Sequence, residues 1–199
     1  EENFNGYFGW NDPAYEPNDM EKRYGLTASG FGYLWHTVDP RFDIATNPNE
    51  PNRFGWIVEV DPYRPGSKPV KRTALGRFKH ENVSIVVAPD GRVVAYMGDD
   101  ERNEYIYKFV SDGIYDPENP STGANILDSG TLYVAKFQPG ANPDELAGTG
   151  EWVALVHGQN GLDAAAGFDS QADILVNTRK AADIVGATMM DRPEWVAVN

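Results

Sequence analysis

From Phe54 onward, short runs rich in β-branched and aromatic residues alternate with clusters of turn formers, and this pattern predicts strands. Phe54 to Asp61 forms one such run, closed by Pro62. Val83 to Ala88 and Arg92 to Met97 flank Pro89-Asp90-Gly91, which predicts a hairpin with glycine in the last position of its turn. Tyr105 to Ser111, Gly130 to Phe137 and Glu151 to His157 add three more strands, separated by spacers such as Asp116-Pro117-Glu118-Asn119-Pro120. The period changes once. Ile174, Leu175, Thr178, Ala181, Ala182 and Val185 share one helical face, so a single helix is expected from Gln171 to about Val185, capped by Ser170 and closed by Gly186. An apolar stripe of this kind is a packing device, so the helix is expected to lie on a sheet. The N-terminal third is rich in Asn, Pro, Gly and aromatics and reads as loops, with one short helical turn between Glu16 and Tyr24.

Short strands with frequent turns predict an all-β sandwich, barrel or propeller. A strand, turn, strand and aspartate-rich loop recur loosely, at Trp56–Asp61, Ala95–Asp100 and Leu132–Phe137, without a strict period. Propeller blades take about 40–45 residues each, so this length would barely close the smallest ring and would equally fit a few blades of a larger one.

The 199 residues carry 17 Lys plus Arg against 30 Asp plus Glu, a formal net charge of −13. So acidic a chain disfavours nucleic acid and anionic membranes as partners, and an anionic substrate would need bound cations to invert the local charge. There is no cysteine, which excludes a thiolate metal site or a disulfide in this stretch. No run of about 18 apolar residues predicts a membrane span. Glu1 follows neither an initiator Met nor a signal-peptide pattern, and a strand expected near Arg192 runs toward Asn199, so both ends are expected to be truncated.

Three segments offer chemistry. His80-Glu81 opens the hairpin; adjacent strand residues face opposite ways, and Glu81 is either an oxygen ligand for a hard cation or a surface carboxylate. Gly98-Asp99-Asp100-Glu101 follows the second hairpin strand and is either a calcium-gathering loop or a solvated turn; its spacing is not that of an EF-hand. In Arg192-Pro193-Glu194 the proline favours extended geometry before it, which would place Arg192 and Glu194 on one face as a cation beside a metal-capable carboxylate, or as a surface ion pair. His36, His80 and His157 lack zinc-site spacing, Gly158-Gln159-Asn160-Gly161 lacks the Lys-Ser/Thr of a phosphate loop, and no G-x-S-x-G elbow occurs.

These segments, with Glu1-Glu2-Asn3-Phe4-Asn5-Gly6-Tyr7-Phe8, Leu75-Gly76-Arg77-Phe78-Lys79, Val94-Ala95-Tyr96-Met97, Glu104-Tyr105-Ile106-Tyr107-Lys108-Phe109-Val110 and Asp191 through Trp195, resemble in order the PhoX family of bacterial alkaline phosphatases. The resemblance implies a six-bladed β-propeller, of which this chain would be a single portion, residues 1–199, with two or three blades and one inserted helix. It implies an iron–calcium cofactor and hydrolysis of small phosphate monoesters in the periplasm or outside the cell after twin-arginine export. It maps metal binding to Glu81 and Glu194 and phosphate binding to Arg192, assigns neither Asp99 nor Asp100, and leaves the iron site incomplete because its cysteine is absent. The remaining portions of the propeller would be the partners of this one. A calcium-binding scaffold and a calcium-dependent propeller lactonase or esterase are the competing readings.

Overall fold

The computed structural model describes residues 1–142 and 148–198. Its centre is a five-stranded antiparallel sheet of β3 (His80–Val87), β4 (Arg92–Asp99), β6 (Ile106–Ile114), β7 (Gly130–Gln138) and β8 (Thr149–Ala154), in the order β3-β4-β6-β7-β8. Two small sheets flank it, one pairing β1 (Ile57–Glu59) with β2 (Val70–Arg72), the other pairing β5 (Arg102–Glu104) with β9 (Met190–Asp191). The all-β class expected from the sequence holds. The predicted hairpin is present: Gly91 takes a positive φ of 84°, and Ala88 N–H closes the turn on the Arg92 carbonyl at 2.8 Å.

One face of the sheet builds the core. Alternate residues Val93, Ala95 and Met97 of β4, Tyr107 and Phe109 of β6, and Leu132 and Val134 of β7 are buried there. Helices α2 (Gln171–Val176) and α3 (Thr178–Ile184) cover this face through Ile174, Ala181 and Ala182, with Val185 capping the end of α3. Each large apolar side chain so buried stabilises the fold by about 1.5–3 kcal/mol. Ser170 caps α2 by accepting the Asp173 N–H, and Gly186 follows α3 with φ 70°.

The predicted single helix is broken at Asn177, and the reason is visible. The Leu175 carbonyl accepts the Arg77 N–H at 3.0 Å, and the Val176 carbonyl accepts the Tyr24 hydroxyl at 3.1 Å. Thr178 Oγ1 also donates to Leu175 at 2.8 Å. Carbonyls that an uninterrupted helix would use internally are thus taken by the N-terminal loops. Other boundaries move too. The run from Phe54 to Asp61 pairs only over Ile57–Glu59, with β2 as a partner the hydrophobic pattern does not reveal, and β8 ends at Ala154 rather than His157. The turn expected near Glu16 is α1 (Asp19–Arg23), closed by a capping box between Asn18 and Glu21.

Arg77 ties the loop-rich N-terminal third to the helices. It is 2% exposed, donates to the carbonyls of Phe54 (2.9 Å) and Pro51 (3.0 Å), and lies over the Tyr24 ring at 4.0 Å. Trp56 N–H donates to the Glu1 carboxylate at 3.1 Å, and His80 N–H to the Glu1 carbonyl at 3.3 Å. These contacts hold residue 2 beside the start of β3. Among the described residues, no helix is long and apolar enough to cross a membrane.

Candidate active site

The site forms where β3 begins and β4 ends. His80 pairs with Asp99 and Val83 with Met97, so three residue steps on β3 oppose two on β4. This bulge leaves Glu81 and Asn82 together opposite Gly98, and bulges re-aim side chains in this way beside functional sites. His80 turns inward, stacks on Phe78 at 3.7 Å between centroids and bonds the Gly76 carbonyl at 3.0 Å. Burial pushes its imidazole down to about 3, so it is neutral. Glu81 turns the other way, as period-two alternation predicts.

Glu81 meets two carboxylates that are remote in sequence. One oxygen each from Glu2, Glu81 and Asp100 lie within 4.8 Å of one another. Burial first, and then the neighbouring Glu81 carboxylate, push the Glu2 carboxyl up. Like charges gathered so closely favour a cation among them. Oxygen ligands sit about 2.3–2.6 Å from calcium, so two ligands of one ion are at most about 5 Å apart, and this trio fits. All three donors are hard oxygens, which suits calcium or another hard cation.

The aspartates of Gly98-Asp99-Asp100 do not act together. Asp100 points to the carboxylate trio. Asp99 points into the core, where it is fully buried and accepts Arg179 Nε at 2.8 Å and Nη2 at 2.5 Å. Burial pulls the Asp99 carboxyl up, and Arg179 with the Lys79 N–H opposes that shift. Glu101 turns to Lys79, 2.6 Å away. The segment is neither a calcium loop of three acids nor a solvated turn: one acid faces the site and another serves the core.

Arg192 and Glu194 come together as expected, by a different route. The strand expected here ends at Asp191, and Arg192 takes a positive φ of 57° instead of extended backbone. The β5–β9 pairing, with Arg102 opposite Asp191, delivers the chain to this point, and Arg192 N–H closes on the Glu101 carbonyl at 3.2 Å. The Arg192 fork then grips Asp100, with Nε to Oδ1 and Nη2 to Oδ2 both at 2.9 Å, and Nη2 also lies 3.4 Å from Glu194. Half of the Arg192 side chain (53%) stays exposed, which leaves guanidinium surface for an anion. Glu194 stands next to Arg192 and outside the trio. Val196 N–H reaches Asn82 Oδ1 at 3.3 Å, so the segment lies against the bulge.

Gly98 permits this approach. A Cβ there would fall inside contact distance of the Pro193 and Glu194 carbonyl oxygens. Gly98→Ala should therefore displace residues 192–194 from the site and reduce activity of the complete protein at least about 10-fold, with a fall in melting temperature of several degrees. Wild-type kinetics in the alanine variant would show that the close approach is not needed.

Glu2 and Asp100 are not assigned by sequence reasoning, although both lie in segments that carry the family resemblance. No spacing rule links residues 2, 81 and 100, because only the sheet and the N-terminal loop bring them together.

The sequence model of the family described as alkaline phosphatase PhoX matches residues 1–199. Among solved structures, the chain is similar to Pseudomonas fluorescens PhoX in complex with vanadate, a transition-state analogue, with 55% identity and a TM-score of 0.95. That match covers 98% of this chain and 34% of the other, so the chain spans about a third of the length of that structure. A search of the curated proteins matched none.

Proposed function

The chain belongs to the PhoX family of alkaline phosphatases, and we propose that it contributes part of the active site of a metal-dependent phosphomonoesterase. One observation carries the reading: a chain 55% identical to a PhoX solved with vanadate places a carboxylate trio next to a half-exposed arginine. Glu2, Glu81 and Asp100 would hold a divalent cation, with Glu194 as a further oxygen donor beside Arg192. A bound cation would supply Lewis acidity to the phosphoryl oxygens.

The residues themselves perform binding and orientation. Charge on the phosphoryl oxygens grows in the transition state, so fixed positive groups aimed at them do most of the work. Arg192 offers such a group. Asp100 holds its guanidinium plane in one orientation, so little freedom is lost when phosphate binds. Glu194 lies 3.4 Å from Nη2, the same nitrogen that holds Asp100 Oδ2.

Calcium and iron are the metals the family resemblance implies. These 199 residues supply oxygen donors and no thiolate. The same resemblance supports a β-propeller for the complete protein, with residues 1–199 as one portion of it, and a periplasmic or secreted location reached by twin-arginine export. The five-stranded antiparallel sheet has one strand more than an ordinary four-stranded blade, and its strands follow one another in space much as they do in sequence, as blade strands do.

The test uses the complete protein and p-nitrophenyl phosphate at alkaline pH. Hydrolysis is expected to disappear on exhaustive metal removal and to return when metal is restored. Full activity in the metal-free protein would overturn the reading.

A further inference from the structure

We propose that the buried Asp99–Arg179 pair is a positioning device for the carboxylate trio, holding Asp100 and Glu81 in place from the core side. The proposal rests on the reading of Glu2, Glu81 and Asp100 as a cation site.

The connections run through the backbone on both sides of the site. The Asp99 carboxylate accepts both Nε (2.8 Å) and Nη2 (2.5 Å) of Arg179, so the carboxylate plane is fixed as well as its place. The same carboxylate accepts the Lys79 N–H at 3.2 Å, and the Lys79 carbonyl accepts the Asp100 N–H at 3.0 Å. One side chain therefore fixes the residue just before Asp100 and the backbone two residues before Glu81. Arg179 is itself immobilised: it is 1% exposed, and its Nη1 reaches the Glu101 carboxylate at 3.3 Å and the Arg23 carbonyl at 3.4 Å. Lys79 holds Glu101 from the other side at 2.6 Å. Helix α3, which by its apolar stripe is only a packing element, thereby delivers a cation to the back of the site.

Metal ligands must be held to about 0.5 Å, and their supporting shell sets affinity by about 10–100-fold. Asp100 and Glu81 sit on opposite sides of a bulge, where the regular ladder no longer fixes their separation. The Asp99–Lys79–Asp100 connection spans that gap. A neutral or single-pronged substitute would keep the fold's shape while loosening the register between the two carboxylates.

Calcium titration calorimetry on the complete protein, with calcium as the only added metal, tests this. Asp99→Asn keeps the shape and an acceptor for Lys79, and Arg179→Lys keeps the charge but loses the fork. Each is expected to weaken calcium binding about 10–100-fold. The double variant Asp99→Asn, Arg179→Gln replaces the ion pair by a neutral hydrogen-bonded one and guards against misfolding of the single variants. It is expected to melt close to the wild type by circular dichroism yet to keep at least a tenfold loss of calcium affinity. Wild-type affinity in a folded double variant would overturn the positioning role and leave the pair merely structural. Glu81→Gln separates the two readings. If it abolishes calcium binding while the Asp99 and Arg179 variants bind normally, only the positioning proposal fails. If Glu81→Gln itself binds calcium normally, the cation site fails, and the positioning proposal with it.

Discussion

Glu81→Gln in the complete protein should lower kcat/KM for p-nitrophenyl phosphate by at least about 100-fold, with little change in melting temperature measured without metal. The amide keeps the size of the side chain but removes the negative charge that a hard cation needs. Glu81 is half-buried and contributes nothing to the apolar core, so the fold should survive its neutralisation. The neighbouring Glu2 should respond as well. Glu81 helps push the Glu2 carboxyl up, so removing its charge should lower the Glu2 pKa toward that of an ordinary carboxylate. Kinetics and calcium calorimetry on the same preparation check the expectation, and an unchanged kcat/KM would remove Glu81 from the reaction.

Arg192→Ala should raise KM for phosphate esters and cost about 10²–10³-fold in kcat/KM, the range seen when one oriented transition-state donor is removed. Alanine suits this experiment because Arg192 already occupies left-handed backbone at φ 57°, so the steric cost of a Cβ there is the same in both proteins. The difference then reports loss of the guanidinium, including its grip on Asp100. Arg192→Lys should recover only part of the loss, since an ammonium keeps the charge but cannot grip both oxygens of Asp100. Unchanged kinetics in both variants, measured with p-nitrophenyl phosphate and with inorganic phosphate as inhibitor, would take Arg192 out of the proposed phosphate site.

The candidate site was legible in unequal parts. Arg192 and Glu194 were readable as a pair because two residues separated by a proline stay close in almost any conformation. The backbone that joins them was not readable. Proline steers its predecessor toward extended geometry, but the β5–β9 pairing and the bond from Arg192 N–H to the Glu101 carbonyl outweigh that preference. Glu81 was readable as a half of an alternating pair with His80. The different fates of Asp99 and Asp100 were not, because two identical side chains in succession carry no sign of which one meets Arg179 in the core.

The features legible without the fold are local ones. Gly91 made its hairpin, Ser170 and Gly186 bounded the helical region, and alternation in β4 selected a buried face, since each depends on torsions and contacts within a few residues. The family was also legible, because its blocks recur in order along the chain. Tertiary structure alone decided the helix break at Asn177, where Arg77 and Tyr24 take carbonyls of the chain just before it. It alone gathered Glu2, Glu81 and Asp100. A cation site is a meeting of charges through space, and the bulge, the N-terminal loop and the buried Asp99–Arg179 pair that bring those charges together are properties of the packed chain.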